Sequence, residues 1–260
     1  MMDLHTHTVY CDGKNTPEEM VLAALDRGMD CLGFSGHTYT YFDESCCMSP
    51  LGTAAYQGEV RALAEKYASR LRILCGAEQD YWSDESTAAY DYVIGSVHYL
   101  RSGDGFFPVD ESPELLREAV DRQYGGDWYA MAEDYYALVS RVAEKTGCDI
   151  IGHFDLVSKF NEKYPFFDET HPRYAEAWQR AADILLKTGK PFEINTGAVS
   201  RGWRTGPYTR DEMIEYIAQR GGRFILSSDA HSADTLCFGF FFVDVPERLL
   251  IRSFEELKKA

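Results

Sequence analysis

Histidines and carboxylates recur along this chain directly after short apolar segments, where they could bind metal ions. Six of the seven histidines stand at the end of such a segment or just beyond it: His5, His7, His37, His98, His153 and His231. Glu78 and Asp229 occupy the same kind of position, and Asp12 follows the first pair of histidines. Neutral imidazole combined with carboxylate is a ligand set typical of zinc, iron and manganese. The residue types therefore predict a metal site.

Taken one at a time, these residues carry little information. A single histidine after a strand more often makes a loop hydrogen bond, Asp229 could cap a helix, and Glu78 could be a solvated charge. The joint pattern is different, because carboxylates packed together cannot all ionise unless cations lie between them. The set therefore predicts a multinuclear site. The seventh histidine, His171, lies in "ETHPRY" at a predicted helix start and is interpreted as structural.

Seven apolar segments are predicted to form the strands that position these side chains: "MMDLHTH", "DCLGFSGH", "RILCGAE", "YDYVIGSVH", "CDIIGHFD", "KPFEINTG" and "RFILSSDAH". Helical patterns alternate with them, which indicates an α/β fold with a parallel sheet. Seven such units favour a closed or nearly closed barrel, formed as a single domain over residues 1–260. The carboxyl ends of barrel strands meet at one mouth, so we expect the candidate ligands to converge there.

Helix boundaries are predicted from capping residues and glycines. The patterns Thr16-x-x-Glu19 and Thr209-x-x-Glu212 are capping boxes, and the two helices should end at Gly28 and at Gly221-Gly222. The remaining helices are predicted around residues 56–67, 112–146 with a break at Gly125-Gly126, 173–186 and 246–259.

Composition limits the classes of partner. The net charge of −16 argues against binding a long nucleic acid, although a small phosphorylated substrate could still bind a local cationic site. No apolar run approaches the length of a membrane span, and no secretory signal is evident at the N-terminus. Seven cysteines without a disulfide or C-x-x-C spacing favour free thiols in a reducing cytoplasm. The oligomeric state is not predicted.

The ordered motifs resemble those of the PHP (polymerase and histidinol phosphatase) family of metal-dependent phosphoesterases. They are "DLHTHT…CDG", "FSGH", "GAE", "GSVHYL", "GHFD" and "SSDAH", spanning residues 3–231. The segments "GSVHYL", "IGHFDLVSKFN" and "FEINTGAVSRG" look like the histidinol-phosphatase branch. The resemblance implies a distorted (β/α)7 barrel, in agreement with the seven predicted strands.

The same resemblance implies three divalent metal ions, which could be zinc, manganese or iron. The first ion would be held by His5, His7, Glu78 and Asp229. Glu78 would bridge to the second, which His98 and His153 complete. The third would be held by Asp12, His37 and His231. Gly36 stands before His37 where many relatives have an acid, but that acid is not required as a ligand.

The implied reaction is hydrolysis of a phosphate monoester, with L-histidinol phosphate as the expected substrate. Metals would lower the pKa of a bound water and neutralise the phosphate oxygens. Asp155 could protonate the leaving alkoxide, or it could orient a ligand imidazole. Arg201 is the best candidate for binding the phosphate, because a guanidinium matches phosphate geometry. Lys159 and Arg204 are weaker candidates.

Three other functions stay open at this stage. A member of the same family could act on nucleotides or short oligonucleotides, or on phosphotyrosine in proteins. A non-catalytic metal-binding barrel is the alternative from another class. Acidic, aromatic-rich loops after the second and third strands could accommodate the amine and imidazole of histidinol phosphate, through Asp43, Glu44, Asp80 and Asp84.

Overall fold

The computed structural model describes residues 1–103 and 105–260. Its strands are β1 (Met2–Asp3), β2 (Cys31–Phe34), β3 (Arg72–Cys75), β4 (Ala77–Asp80), β5 (Val93–Ser96), β6 (Tyr99–Ser102), β7 (Gly105–Pro108), β8 (Ile150–Ile151), β9 (Phe192–Asn195) and β10 (Phe224–Ser227). Two parallel sheets have the orders β1-β2-β3 and β10-β9-β8-β5-β4. β6 and β7 form an antiparallel hairpin that the sequence patterns did not predict.

The two parallel sheets join into a ring at both ends. β3 and β4 are the halves of the predicted third strand, and Gly76 lies between them. The first half pairs with β2 and the second with β5, so this strand passes from one sheet to the other. On the opposite side, a parallel bridge between Thr6 and Ala230 connects the ends of β1 and β10. The predicted distorted barrel of seven strands is thereby confirmed.

Helices alternate with these strands. They are α1 (Pro17–Asp26), α2 (Pro50–Tyr67), α3 (Pro113–Tyr124), α4 (Trp128–Val139), α5 (Val142–Thr146), α6 (Pro172–Leu186), α7 (Gly197–Ser200), α8 (Asp211–Gln219) and α9 (Phe254–Leu257). The capping box at Thr16 is present, and the predicted break falls at Gly125, which ends α3 in the left-handed conformation. His171 caps α6 and stacks on Tyr129, as its structural interpretation requires.

Two predicted helix boundaries are wrong. Thr209 does not cap α8, because its hydroxyl donates to the carbonyl of Glu193 and the N-cap position falls on Arg210. The predicted C-terminal helix is much shorter than residues 246–259, because Leu250 forms a bridge with Phe224 and keeps the chain extended there. Among the described residues, no helix has the length and apolar character needed to cross a membrane.

Side chains inside the barrel change from apolar to polar toward the mouth. On the inward face, Tyr92 and Ile94 are followed at the same period of two by Ser96. The apolar layer draws residues from or beside six of the seven barrel strands: Leu4, Cys31, Leu74, Tyr92, Ile94, Ile150 and Ile225. Above it lies Glu78, which accepts a hydrogen bond from Ser96 at 2.6 Å. The barrel thus places its carboxylates on a packed hydrophobic floor.

Truncating Tyr92 to alanine is expected to lower the free energy of unfolding by about 3–5 kcal/mol, the usual loss for a buried aromatic ring. The ring fills the space left by Gly33 and Gly76, and its hydroxyl donates to the carbonyls of Leu4 and Phe34. Urea denaturation measures the change. Tyr92→Phe keeps the ring and should lose only about 1 kcal/mol. Equal losses for the two variants would contradict the packing role of the ring.

Candidate metal centre

Glu78 lies at the centre of the imidazole cluster, and only 1% of its surface is exposed. Its two carboxylate oxygens face different histidines. Oε1 lies 2.8 Å from His153 Nε2 and 3.3 Å from His98 Nε2. Oε2 lies 3.0 Å from His5 Nε2 and 3.2 Å from His37 Nδ1. This carboxylate therefore has the position of a bridge between metal ions.

Asp229 and Asp12 occupy the other side of the cluster. Asp229 Oδ1 lies 3.2 Å from His7 Nε2, 3.5 Å from His231 Nδ1 and 3.7 Å from His5 Nε2. Asp12 Oδ2 lies 3.0 Å from His231 Nε2, and its Oδ1 lies 3.5 Å from His7 Nδ1. Asp229 has a φ of 50°, a left-handed conformation that aspartate tolerates better than most residues. Both acids thus converge on the same imidazoles.

The structure brings all nine predicted ligands to one mouth of the barrel. Their ligand atoms form four overlapping groups, each within 4.8 Å: His7, Asp12, His37 and His231; His5, His7 and Asp229; His5, Glu78 and His153; and His37, Glu78 and His98. These groups overlap the three sets implied by the family resemblance. Asp12 is thus combined with three histidines, and Glu78 is shared between two groups.

The donor set fits divalent metal ions. His7 Nε2 is fully buried and makes no directed hydrogen bond to any residue in 1–103 or 105–260, although it faces Asp229. A buried imidazole nitrogen that faces a buried carboxylate oxygen provides two suitable ligand atoms for one cation. Zinc, manganese and iron all accept such nitrogen and oxygen donors.

The clustered groups shift one another's protonation equilibria. Burial would raise the pKa of Glu78, but the surrounding imidazoles, His5 foremost, lower it well below its usual value. Burial would lower the pKa of His5, but Glu193 and then Glu78 raise it well above the ordinary value. Burial and two neighbouring imidazoles lower the pKa of His7 to about 3. Glu78 is therefore ionised at neutral pH and able to bind cations.

Two carboxylates behind the ligands were missed as positioning residues by the sequence analysis. Glu193 Oε1 lies 2.6 Å from His5 Nδ1, and Asp80 Oδ2 lies 3.2 Å from His98 Nδ1. Asp80 had been assigned only to an acidic substrate pocket. Glu193 could have been suspected because a glutamate inside an apolar strand is rarely buried unless a partner satisfies it.

The four predicted substrate and catalytic residues divide into two pairs. Arg201 and Lys159 line the cavity above the imidazoles, whereas Arg204 and Asp155 lie behind it. Arg204 donates to the carbonyl and hydroxyl of Ser158, both at 2.8 Å. These contacts direct its guanidinium away from the cavity, so the position of Arg204 does not favour the substrate-binding role predicted for it, which stays a prediction.

Asp155 is fully buried and lies outside the cavity. Its Oδ2 lies 3.3 Å from Arg210 Nε, and the hydroxyl of Ser158 donates to it at 3.3 Å. Burial raises the pKa of its carboxyl, while Arg204 and Arg210 oppose that rise. This placement does not favour contact with a leaving group, and the general-acid role of Asp155 stays a prediction.

Arg201 is held by one of the candidate ligands. Its Nη2 donates to Asp229 Oδ2 at 2.8 Å, and its Nη1 donates to the carbonyl of Asp229 at 3.1 Å. A Cβ at Gly197 would lie 2.6 Å from Arg201 Nη2 and 2.7 Å from Asp229 Oδ2. Glycine is therefore needed where α7 approaches this ion pair, which fixes the guanidinium beside the imidazole cluster.

The cavity above the cluster has a volume of about 320 Å³ and a partly acidic wall. Of the four acids predicted to line it, Asp43 and Asp80 do so. Glu44 instead accepts from the hydroxyl of Tyr39, and Asp84 pairs with Lys145. Other acids come from the segment after the β6–β7 hairpin: Asp110 and Glu111. The space is large enough for a small molecule.

Comparison with known sequences finds the PHP domain and proteins described as histidinol-phosphatases. The sequence profile of the PHP domain matches residues 3–197. A protein of Deinococcus radiodurans described as "Probable histidinol-phosphatase" is 33% identical, and the alignment covers 96% of this chain and 92% of that protein. The histidinol-phosphatase of Bacillus subtilis is 26% identical, with 92% of this chain and 96% of that protein covered.

Comparison with solved structures supports the same fold. A crystal structure of a Listeria monocytogenes protein superposes with a TM-score of 0.81 at 21% identity, covering 94% of this chain and 100% of that one. The histidinol phosphate phosphatase of Lactococcus lactis, complexed with zinc, L-histidinol and phosphate, superposes with a TM-score of 0.65 at 21% identity. That superposition covers 99% of this chain and 90% of that chain.

Proposed function

This chain belongs to the PHP family, and from that premise we propose that it is a metal-dependent phosphatase that hydrolyses L-histidinol phosphate to L-histidinol and phosphate. The observation that carries the proposal is the convergence of six histidines and three carboxylates at the base of one cavity. The full-length similarity to proteins described as histidinol-phosphatases supports the choice of substrate.

Nine side chains would hold three divalent metal ions in this proposal: His5, His7, Asp12, His37, Glu78, His98, His153, Asp229 and His231. Zinc suits these donors, and manganese and iron are the alternatives. When bound, such ions lower the pKa of water and neutralise phosphate charge. The part played by the chain is to fix its imidazoles and carboxylates in that arrangement before substrate enters.

Arg201 is the phosphate-binding residue in this proposal. Its guanidinium lines the cavity, and Asp229 and the α7 turn fix its direction. A fixed guanidinium can donate two parallel hydrogen bonds to phosphate oxygens. Lys159 contributes a second positive charge at the cavity wall, although Asp110 already binds its ammonium group at 2.6 and 3.2 Å.

The acidic cavity wall would accommodate the organic part of the substrate. L-Histidinol phosphate carries an ammonium group and an imidazole, and both are favoured near carboxylates when protonated. Asp43, Asp110 and Glu111 line the cavity beyond the imidazole cluster. Asp155 lies behind the ligands and would stabilise the segment after β8 through Arg210, rather than protonate the leaving group.

The proposal extends to the domain organisation, the location and the partners of the chain. We place the activity in a single catalytic domain over residues 1–260, because Asp229 and His231 lie beyond the PHP profile match yet complete the cluster. All seven cysteines are free, which is consistent with a cytoplasmic location. The net charge of −16 argues against a long nucleic acid as partner.

A comparison of kcat/KM across phosphate esters after metal reconstitution tests the proposal. L-Histidinol phosphate should be preferred over 3′,5′-bisphosphonucleotides, short oligonucleotides and a phosphotyrosine peptide. Preference for one of those three would replace the proposed substrate but keep the phosphoesterase. A protein that binds metal and hydrolyses no ester in the panel would be a non-catalytic metal-binding barrel.

A further inference from the structure

The geometry points to Glu193 as a positioning residue that sets the proton position on His5 and holds the backbone at His153. The inference rests on the metal centre of the proposed function and extends it to a strand that supplies none of the nine predicted ligands. That strand is β9, which contains Glu193 and, two residues later, Asn195.

Both carboxylate oxygens of Glu193 are engaged, and the residue is fully buried. Oε1 lies 2.6 Å from His5 Nδ1. Oε2 accepts from the backbone N–H of His153 at 2.8 Å and from Asn195 Nδ2 at 3.0 Å. One side chain thus contacts two candidate ligand residues that follow different strands of the barrel, β1 and β8.

The contact with Oε1 has a chemical consequence for His5. An imidazole that binds a metal ion is neutral and carries one proton, and an ionised carboxylate can only accept a hydrogen bond. The proton must therefore lie on Nδ1, which leaves the lone pair on Nε2. That nitrogen faces Glu78 Oε2 at 3.0 Å and Asp229 Oδ1 at 3.7 Å, where a metal ion would bind.

The contacts with Oε2 extend the same support along β9. The backbone N–H of His153 is fixed directly, although His153 Nδ1 itself has no hydrogen-bond partner in the described part of the chain. Asn195 continues the connection, because its Oδ1 accepts from the backbone N–H of Gly197 at 2.8 Å. Gly197 begins the α7 turn that carries Arg201. Glu193 therefore supports candidate ligands that follow two different strands and, through Asn195, the candidate phosphate-binding turn.

Glutamine at this position cannot reproduce both contacts. If its oxygen accepts from His5, its amide group meets the N–H of His153, and two donors face each other. In the reverse orientation the amide group faces His5 Nδ1, which moves the imidazole proton to Nε2 and removes the metal-binding lone pair. Aspartate keeps the charge and both acceptors but is one methylene shorter.

The first measurement uses the wild-type protein loaded with zinc. In a spectrum of ¹⁵N-labelled histidine, the resonance that disappears in His5→Gln should show a protonated Nδ1 and a metal-bound Nε2. A His5 resonance protonated on Nε2 in the zinc-loaded enzyme would overturn the proposal. This readout does not depend on whether any Glu193 variant folds.

The second measurement is metal affinity, determined by competition with a chromophoric chelator. Glu193→Gln should bind zinc about 10–100-fold more weakly than wild type, the usual effect of losing an outer carboxylate. Glu193→Asp should recover part of that loss. Glu133→Gln is the matched control, because Glu133 on α4 pairs with Arg173 on α6, and the zinc affinity of this variant should equal that of wild type. Wild-type zinc affinity in a folded Glu193→Gln protein would also overturn the proposal.

These readouts separate the proposed substrate, L-histidinol phosphate, from the proposed role of Glu193. Zinc affinity and the proton position on His5 are measured without substrate. If the enzyme fails to hydrolyse L-histidinol phosphate but Glu193→Gln still weakens zinc binding, the substrate assignment fails and the role of Glu193 stands. If hydrolysis is found and Glu193→Gln binds zinc as wild type does, the role of Glu193 fails alone.

Discussion

Replacing Glu78 with glutamine is expected to abolish hydrolysis and to reduce the metal content of the protein. Five imidazoles lie within 3.5 Å of this carboxylate, on His5, His7, His37, His98 and His153. Glutamine removes the negative charge and directs an amide N–H₂ group at nitrogens whose lone pairs should face metal ions. We expect kcat to fall by more than about 10²–10³-fold, since losing one preorganised electrostatic group already has that effect.

Metal analysis and steady-state kinetics on the same preparation measure this result. Glu176→Gln is a matched control, because Glu176 is exposed and pairs with Arg180 one helical turn away. It should retain the wild-type metal content and kcat. A Glu78→Gln protein that keeps its full metal complement, with kcat within about tenfold of wild type, would show that Glu78 does not bridge the ions.

The convergence of the nine candidate ligands was predictable from sequence because a parallel barrel was predicted with them. A parallel barrel brings the carboxyl ends of all its strands to one mouth, so residues as distant as His5 and His231 could be expected to meet. For every candidate ligand except Asp12, the position near a strand end was visible in the apolar segment before it. The prediction therefore depended on strand positions rather than on exact strand boundaries.

The residues around the ligands were less predictable, because their direction depends on partners distant in sequence. Glu193 is a single acid in an apolar strand and has no spacing signal, and its partner His5 is 188 residues away. Arg204 and Asp155 follow predicted strands as Arg201 does, but contacts with Ser158 and Arg210 direct them behind the cavity. Position after a strand indicates proximity to the mouth and not the direction of a side chain.

Two local features of the fold could not be predicted from the periodicity of the sequence. The third strand was predicted as one segment, yet it is divided at Gly76, where a Cβ would lie 2.3 Å from Tyr92 Cζ. The ring of Tyr92 thus occupies the space in which the chain passes from one sheet to the other. The β6–β7 hairpin lies in "YLRSGDGFFP", whose central glycines resemble those of a loop.

Replacing Arg201 with alanine is expected to lower kcat/KM for phosphate esters by about 10²–10³-fold, the range for one fixed donor to developing charge. Competitive inhibition by inorganic phosphate should weaken as well, because the guanidinium would bind ground-state phosphate oxygens too. Metal content should stay at the wild-type level. Asp229 keeps its Oδ1 toward His7 without this arginine, and loss of the positive charge does not oppose cation binding.

Two further variants, Arg201→Lys and Arg204→Ala, test whether the effect of Arg201→Ala comes from the loss of this particular guanidinium. Lysine keeps the charge but not the two parallel donors, so Arg201→Lys should recover only part of the lost kcat/KM. Arg204 follows the same strand, but its guanidinium contacts Ser158 and Glu169 away from the cavity. Arg204→Ala should therefore lower the melting temperature and leave phosphate inhibition unchanged. If Arg204→Ala weakens phosphate inhibition and Arg201→Ala does not, the assignment of Arg201 as the phosphate-binding residue is wrong.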